Sequence, residues 1–152
     1  MKPTRVLFVC HGNICRSPMA EFVMKKLVHD AGRDDDFAIA SAATSSEELG
    51  NPVYPPARRK LAEHGISCSG KVARRMTRQD YDDYDLLIGM DNENLYTMRR
   101  ICGGDPDGKI HALLDYCGRP GEEVADPWYT RDFEATWRDV LDGCTALLEK
   151  LR

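Results

Sequence analysis

The chain has 152 residues and a formal net charge of −4, enough for one domain around one sizeable core and too acidic to suggest a nucleic-acid partner. No apolar stretch is long enough to span a bilayer, and Met1-Lys2-Pro3-Thr4 runs into a strand-like segment without a signal-peptide pattern, so a cytosolic protein with no membrane partner is expected. The six cysteines lack the dense spacing of a disulfide scaffold and form no C-x-x-C pair, and the four histidines are scattered, so reduced thiols and no metal site are expected.

In chain order, residues 5–9 are apolar and β-branched without alternation, as in a strand buried on both faces. Next comes Cys10-His11-Gly12-Asn13-Ile14-Cys15-Arg16-Ser17, with Ser17 reading as the N-cap and Pro18 as the first position of a helix through Met19, Ala20, Val23, Met24, Leu27 and Val28. Residues 36–41 read as a second strand, and residues 55–63 as a helix closed by His64-Gly65. Residues 85–90 read as a third buried strand, Asp91 opens a helix through Leu95, Met98 and Ile101, and residues 109–113 make a fourth strand. The last helix carries Phe133, Trp137, Val140, Leu141, Cys144, Leu147, Leu148 and Leu151 on one stripe, a core face. Arg58, Arg59 and Lys60, like Arg74, Arg75 and Arg78, read as solvated faces. The alternation predicts a single α/β domain over residues 1–152, with a four-stranded parallel sheet of order 2-1-3-4 and helices on both faces. The Cys10 loop would then lie at the carboxyl end of the first strand, beside the topological switch point.

That loop sets a thiol and a guanidinium six positions apart at a helix N-terminus, where backbone N–H groups and the helix dipole favour an anion. Gly12 lets a ligand approach the backbone, Asn13 tolerates positive φ, and consecutive N–H groups form an anion nest. Arg16 can clamp two phosphate oxygens. The same field is expected to lower the Cys10 pKa from about 8.5 into the range of roughly 3.5–7.5, making it a nucleophile at neutral pH. A phosphate ester also needs a proton for its leaving oxygen. Asp126 is a candidate acid, although Asp-Pro by itself also marks a turn. Trp128 and Tyr129 suit contact with an aromatic ring, or simply pack on the surface. Cys15 either captures an oxidised Cys10 as a disulfide or fills space as a small apolar group.

Every fixed position of the loop C-x-G-N-x-C-R-S is met by residues 10–17, and Asp126-Pro127-Trp128-Tyr129 fits D-P-[WY]-Y. Ser41-Ala42-Ala43-Thr44-Ser45 is similar to S-A-G-T-S, with Gly50, Pro52, Pro55 and His64-Gly65-Ile66 at matching offsets. Across essentially its whole length the chain resembles the low-molecular-weight protein tyrosine phosphatases. The resemblance implies the phosphotyrosine phosphatase I-like fold and a cofactor-free, metal-independent hydrolysis of phosphotyrosine proteins to inorganic phosphate through a phosphocysteine, by a monomer. It implies Cys10 as nucleophile, Arg16 as phosphate clamp and Asp126 as general acid. His11, Gly12, Asn13, Ile14, Cys15 and Ser17 would build the phosphate loop, with Ser17 also donating to the Cys10 sulfur. Ser41 would brace that loop, and Glu47, Tyr54, Trp128 and Tyr129 would line the substrate cleft.

The chain also departs from the family pattern. Glu47, followed by Glu48, stands where many relatives carry an aromatic residue, and two carboxylates there would repel acidic peptides. Tyr54 replaces an acidic residue but is free to act as a rim aromatic. Lys71, or Gly70, takes the place of a histidine that supports Asn13 in relatives, which puts loop rigidity in question. Three other functions share the loop: a thioredoxin-coupled arsenate reductase, a protein arginine phosphatase and a silent phosphate-binding module. The first needs two further redox cysteines close together, where only Cys102 is near. Ile14 stands where arginine phosphatases tend to have threonine. The third does not need Cys10, Arg16 and Asp126 together.

Overall fold

The first strand, β1 (Thr4–Cys10), alternates its side chains between two hydrophobic layers, and that alternation organises the computed structural model of the chain. The structure describes residues 2–151; Met1, where the leaderless start was read, and Arg152, the end of the expected domain, lie outside the described residues. Val6, Phe8 and Cys10 face one layer and Leu7 and Val9 the other.

β1 is flanked by β2 (Phe37–Ala43) on one side and β3 (Leu86–Gly89) on the other, and β4 (Ile110–Ala112) pairs with β3. All pairings are parallel and the order is β2-β1-β3-β4, as the alternating pattern predicts. Crossover helices are α1 (Arg16–Asp30), α2 (Pro55–Glu63), the short α3 (Gln79–Asp83) and α4 (Asn92–Cys102). The short α5 (Pro127–Thr130) precedes the long C-terminal α6 (Phe133–Lys150). Residues from α1, α2 and α6, including Met19, Met24, Leu61, Val140 and Leu147, cover the Val6/Phe8 face. Tyr81 of α3 and Met98 and Cys102 of α4 cover the Leu7/Val9 face.

α2 spans the predicted residues, and Asp91 caps α4 in a reciprocal box: its carboxylate accepts from Asn94 N at 2.7 Å while Asn94 Oδ1 accepts from Asp91 N at 3.2 Å. The other differences are at boundaries. β2 begins one residue later than expected and continues to Ala43, because Asp34–Asp36 form a 3-10 turn and β1 offers seven partners for the strand. β3 and β4 are each shorter than the apolar runs that announced them. Arg74 is not on a solvated face: its guanidinium pairs with the buried Asp80 at 3.0 and 3.1 Å, tying α3 to the preceding loop.

α6 approaches the 3-10 turn Leu113–Cys117 closely at Gly143, where a Cβ would run into the branched carbon of Leu113. Gly143→Ala therefore overpacks the core. The strain of about 1–3 kcal/mol outweighs a helix-propensity gain of about 1 kcal/mol, and urea unfolding is expected to show a net loss of up to about 2 kcal/mol.

Candidate active site

β1 ends at Cys10 and the chain turns through residues 11–15 into α1, at the carboxyl edge of the sheet where β1 and β3 diverge in direction of crossover. Neighbouring segments hold the outside of this loop. Thr44 N donates to Cys10 O at 2.9 Å, Ser45 N to His11 O at 3.1 Å and Tyr54 N to Ile14 O at 2.9 Å. With those carbonyls engaged outward, no hydrogen bond among the described residues uses the N–H of Gly12, Ile14 or Cys15. Asn13 N donates to Cys10 Sγ at 3.3 Å.

The helix begins earlier than expected, and this corrects the role of Ser17. Arg16 is the first helical residue, Cys15 is the N-cap and no side chain caps the end, so the first N–H groups of a 15-residue helix are left for an anion. Ser17 therefore does not cap. Being inside the first turn, it points its hydroxyl at Cys10 Sγ, 3.0 Å away, and accepts from Asn13 Nδ2 at 2.8 Å. Asn13 takes one of the two lone pairs of that oxygen, and the Ser17 hydroxyl and the Cys10 sulfur share the bond between them.

Asn13 extends the chain of bonds inward. Its Nδ2 also donates to Ser41 Oγ at 3.0 Å, its Oδ1 accepts from Arg74 N at 3.3 Å, and Ser41 Oγ donates to Glu21 Oε1 at 2.5 Å. Glu21 is buried on α1 and paired with two lysines, Lys25 at 2.6 Å and Lys71 at 3.3 Å. Lys71 also donates to the Ser41 carbonyl at 2.9 Å, so the lysine supplies a brace where rigidity was in question. Burial lowers the Lys71 pKa, and the attraction of Glu21 opposes that.

Arg16 is buried and aimed into the same space. Its Nη1 donates to Asp91 Oδ2 at 2.9 Å and to Val124 O at 3.3 Å, and its Nη2 lies 3.4 Å from Asp126 Oδ2. Burial alone would lower its pKa, but the neighbouring Cys10, Asp126 and Asp91 outweigh that and raise it, so the guanidinium stays charged. Asp126 marks the turn that Asp-Pro suggests and also lines the cavity. Its Oδ1 caps α5 by accepting from Trp128 N at 3.1 Å, and its Oδ2 faces the guanidinium. Cys15 is buried, and its thiol is pushed up to about 12, chiefly by burial and then by Cys10 and Asp126.

These groups surround a cavity of about 330 Å³ lined by Cys10, His11, Gly12, Ile14, Cys15, Arg16, Glu47, Asp126, Trp128 and Tyr129. Asn13, Ser17 and Ser41 are buried and brace the loop from behind. Tyr54 is a correction: it does not line this cavity but stands behind Trp128, ring centroids 5.2 Å apart, and stacks on Phe133 at 6.3 Å. Glu48, noted beside Glu47 in the sequence, lines the cavity too, and two lining residues were not picked out as site groups from the sequence, Asp91 and Glu93. Asp91 had a signal, since it follows the strand beside β1 at the carboxyl edge. Glu21 had one too, a carboxylate one helical turn from Ser17 among apolar neighbours.

A family model described as low molecular weight phosphotyrosine protein phosphatase matches residues 5–152. The chain belongs to this family. The low molecular weight protein-tyrosine-phosphatase YfkJ of Bacillus subtilis is 38% identical over 148 residues, 97% of this chain and 95% of its own length. Its crystal structure superimposes with a TM-score of 0.94, covering 99% of this chain and 96% of that one. The phosphatase of Rattus norvegicus is 40% identical over 149 residues, 95% of this chain and 94% of its own. The crystal structure of DARP, drosophila arginine phosphatase, also superimposes, with a TM-score of 0.89 at 31% identity over 100% of this chain and 98% of that one.

The brace is open to a direct test. Lys71→Met removes a cation from Glu21 and a donor from Ser41 while keeping the aliphatic stem. Thermal and urea unfolding are expected to show a loss of about 1–3 kcal/mol, with Lys71→Arg recovering most of it.

Proposed function

We propose that this phosphatase hydrolyses phosphotyrosine in proteins, with Cys10 as nucleophile. The reading is carried by one observation: Cys10 Sγ lines a cavity with Arg16 and Asp126 while accepting a hydrogen bond from Asn13 N–H and lying 3.0 Å from Ser17 Oγ. The thiolate attacks phosphorus, a sulfur–phosphorus bond forms as the ester oxygen–phosphorus bond breaks, and Asp126 gives its proton to the departing phenolate. Arg16 and the loop amides stabilise the three equatorial oxygens. In the second step the Asp126 carboxylate takes a proton from water, the water oxygen attacks phosphorus, and inorganic phosphate leaves as Cys10 thiolate is restored. Ser17 stabilises that leaving sulfur. Trp128 and Tyr129 hold the phosphotyrosine ring.

Other parts of the chain fit this reading. No helix among the described residues is long and apolar enough to cross a membrane, and the six cysteines are free thiols; a cytosolic monomer remains part of the proposal. Under peroxide a sulfenic acid on Cys10 would condense with the Cys15 thiol, releasing water and forming a disulfide. Arsenate reduction is disfavoured because Cys102 and Cys117 pack in clusters on opposite faces of the sheet. Ile14 gives the cavity wall no hydroxyl, which favours a phenyl ester over phosphoarginine.

Cys10→Ser is expected to abolish turnover while retaining phosphate binding by isothermal titration. Asp126→Ala is expected to slow turnover by about 10²–10⁴-fold for poor leaving groups and far less for good ones. Faster release from phosphoarginine than from phosphotyrosine peptides would overturn the choice of substrate, and turnover retained by Cys10→Ser would overturn the mechanism.

A further inference from the structure

A cavity that binds a phosphate dianion is expected to collect cationic side chains, and beyond Arg16 and His11 this one collects carboxylates. Five carboxylates line it, from Glu47, Glu48, Asp91, Glu93 and Asp126, against the guanidinium of Arg16 and the imidazole of His11. Asp91 and Asp126 are committed to Arg16. The other three have no lysine or arginine partner among the described residues. Glu47 pairs only with His11, at 2.8 Å, and its side chain is 69% exposed. Glu48 accepts from the neutral amide of Asn51 at 2.6 Å. Glu93 is exposed in the first turn of α4, where the helix dipole tolerates a negative charge but does not require one at the cavity.

Local structure accounts for little of this arrangement. Glu48 steadies the turn to Asn51 and Glu93 suits a helix start, yet Glu47 and Glu48 arrive from the loop after β2 and Glu93 from a different segment, and all three meet at one mouth. A cavity of this size is comparable with the ~8 Å Debye length in physiological salt, so their potentials add there. A substrate that brings its own cations offsets the cost that these carboxylates add for an incoming phosphate.

We infer that the substrates of this phosphatase carry lysine or arginine residues flanking the phosphotyrosine, received by Glu47, Glu48 and Glu93. The inference rests on the phosphotyrosine reading above. It assigns the rim a selecting role, by attraction of basic flanks and repulsion of acidic ones.

The test compares phosphotyrosine peptides of one length with basic, neutral or acidic flanks, beside free phosphotyrosine, at about 20 mM and about 500 mM salt. Wild type is expected to favour basic over acidic flanks by about tenfold or more in kcat/KM at low salt, mostly through KM, with the ratio contracting at high salt. In the Glu47→Gln/Glu48→Gln/Glu93→Gln variant the same ratio is expected to fall to within about twofold of unity. Hydrolysis of free phosphotyrosine without discrimination among the peptides, or with preference for acidic flanks, would overturn this inference and leave the proposed function standing. A preference that survives in the triple variant would overturn the assignment to these carboxylates. Failure of wild type to hydrolyse free phosphotyrosine and every peptide would instead bring down the proposed function itself.

Discussion

Asn13 sits at φ 58° with 1% of its surface exposed, and the loop around Cys10 can close only because this position accepts the left-handed conformation. A β-branched or bulky residue would be strained there, whereas asparagine tolerates the backbone and repays it with a short amide. That amide donates to Ser17 and Ser41 and accepts from Arg74 N, so one side chain ties the loop to α1, to β2 and to the segment before α3. Its own N–H reaches the Cys10 sulfur. Loop shape, sulfur environment and the set of inward-facing amides therefore have a common origin in one buried residue.

Electrostatics at the sheet edge follow from that shape. Arg16 enters the interior as the first residue of α1, and a buried guanidinium must be paired; Asp91 at the end of β3 and Asp126 at the start of α5 do so from two different segments. Such pairing gives little net stability against a well-packed apolar alternative, but it fixes direction. A phosphoryl group entering the cavity meets a guanidinium already aimed and amides already turned, so little reorganisation accompanies the build-up of charge in the transition state. Glu21, held between Lys25 and Lys71, anchors the far end of the same hydrogen-bond chain through Ser41. Lys71 supplies that network with a charged donor, to Glu21 and to the Ser41 carbonyl.

Much of this was legible in the sequence. The apolar runs gave the strands, the 3.6-residue stripe of α6 gave the core face, and the spacing from Cys10 to Ser17 located the anion site, because each is a local signal. What was not legible depends on where segments meet. Ser17 has the chemistry of an N-cap, and only the one-turn register of α1 against β1 decides that it faces the sulfur instead. Tyr54 has the chemistry of a rim aromatic, and only the position of α5 puts Trp128 in front of it. Glu93 reads as an ordinary first-turn carboxylate until the fold brings it into the lining of the cavity that Glu47 and Glu48 also line. Propensity and spacing assign residues to elements; long-range contacts assign them to sites.

The central claim is that the Cys10 sulfur carries the phosphoryl group between substrate and water. Rapid acid-free quenching during turnover of a phosphotyrosine substrate, followed by peptide mapping by mass spectrometry, tests it most directly. The account predicts a transient phosphate on the peptide containing Cys10, localised to that sulfur and absent from Cys15. Turnover with no covalent phosphate on the protein under those conditions, or phosphate on any other residue, would contradict it.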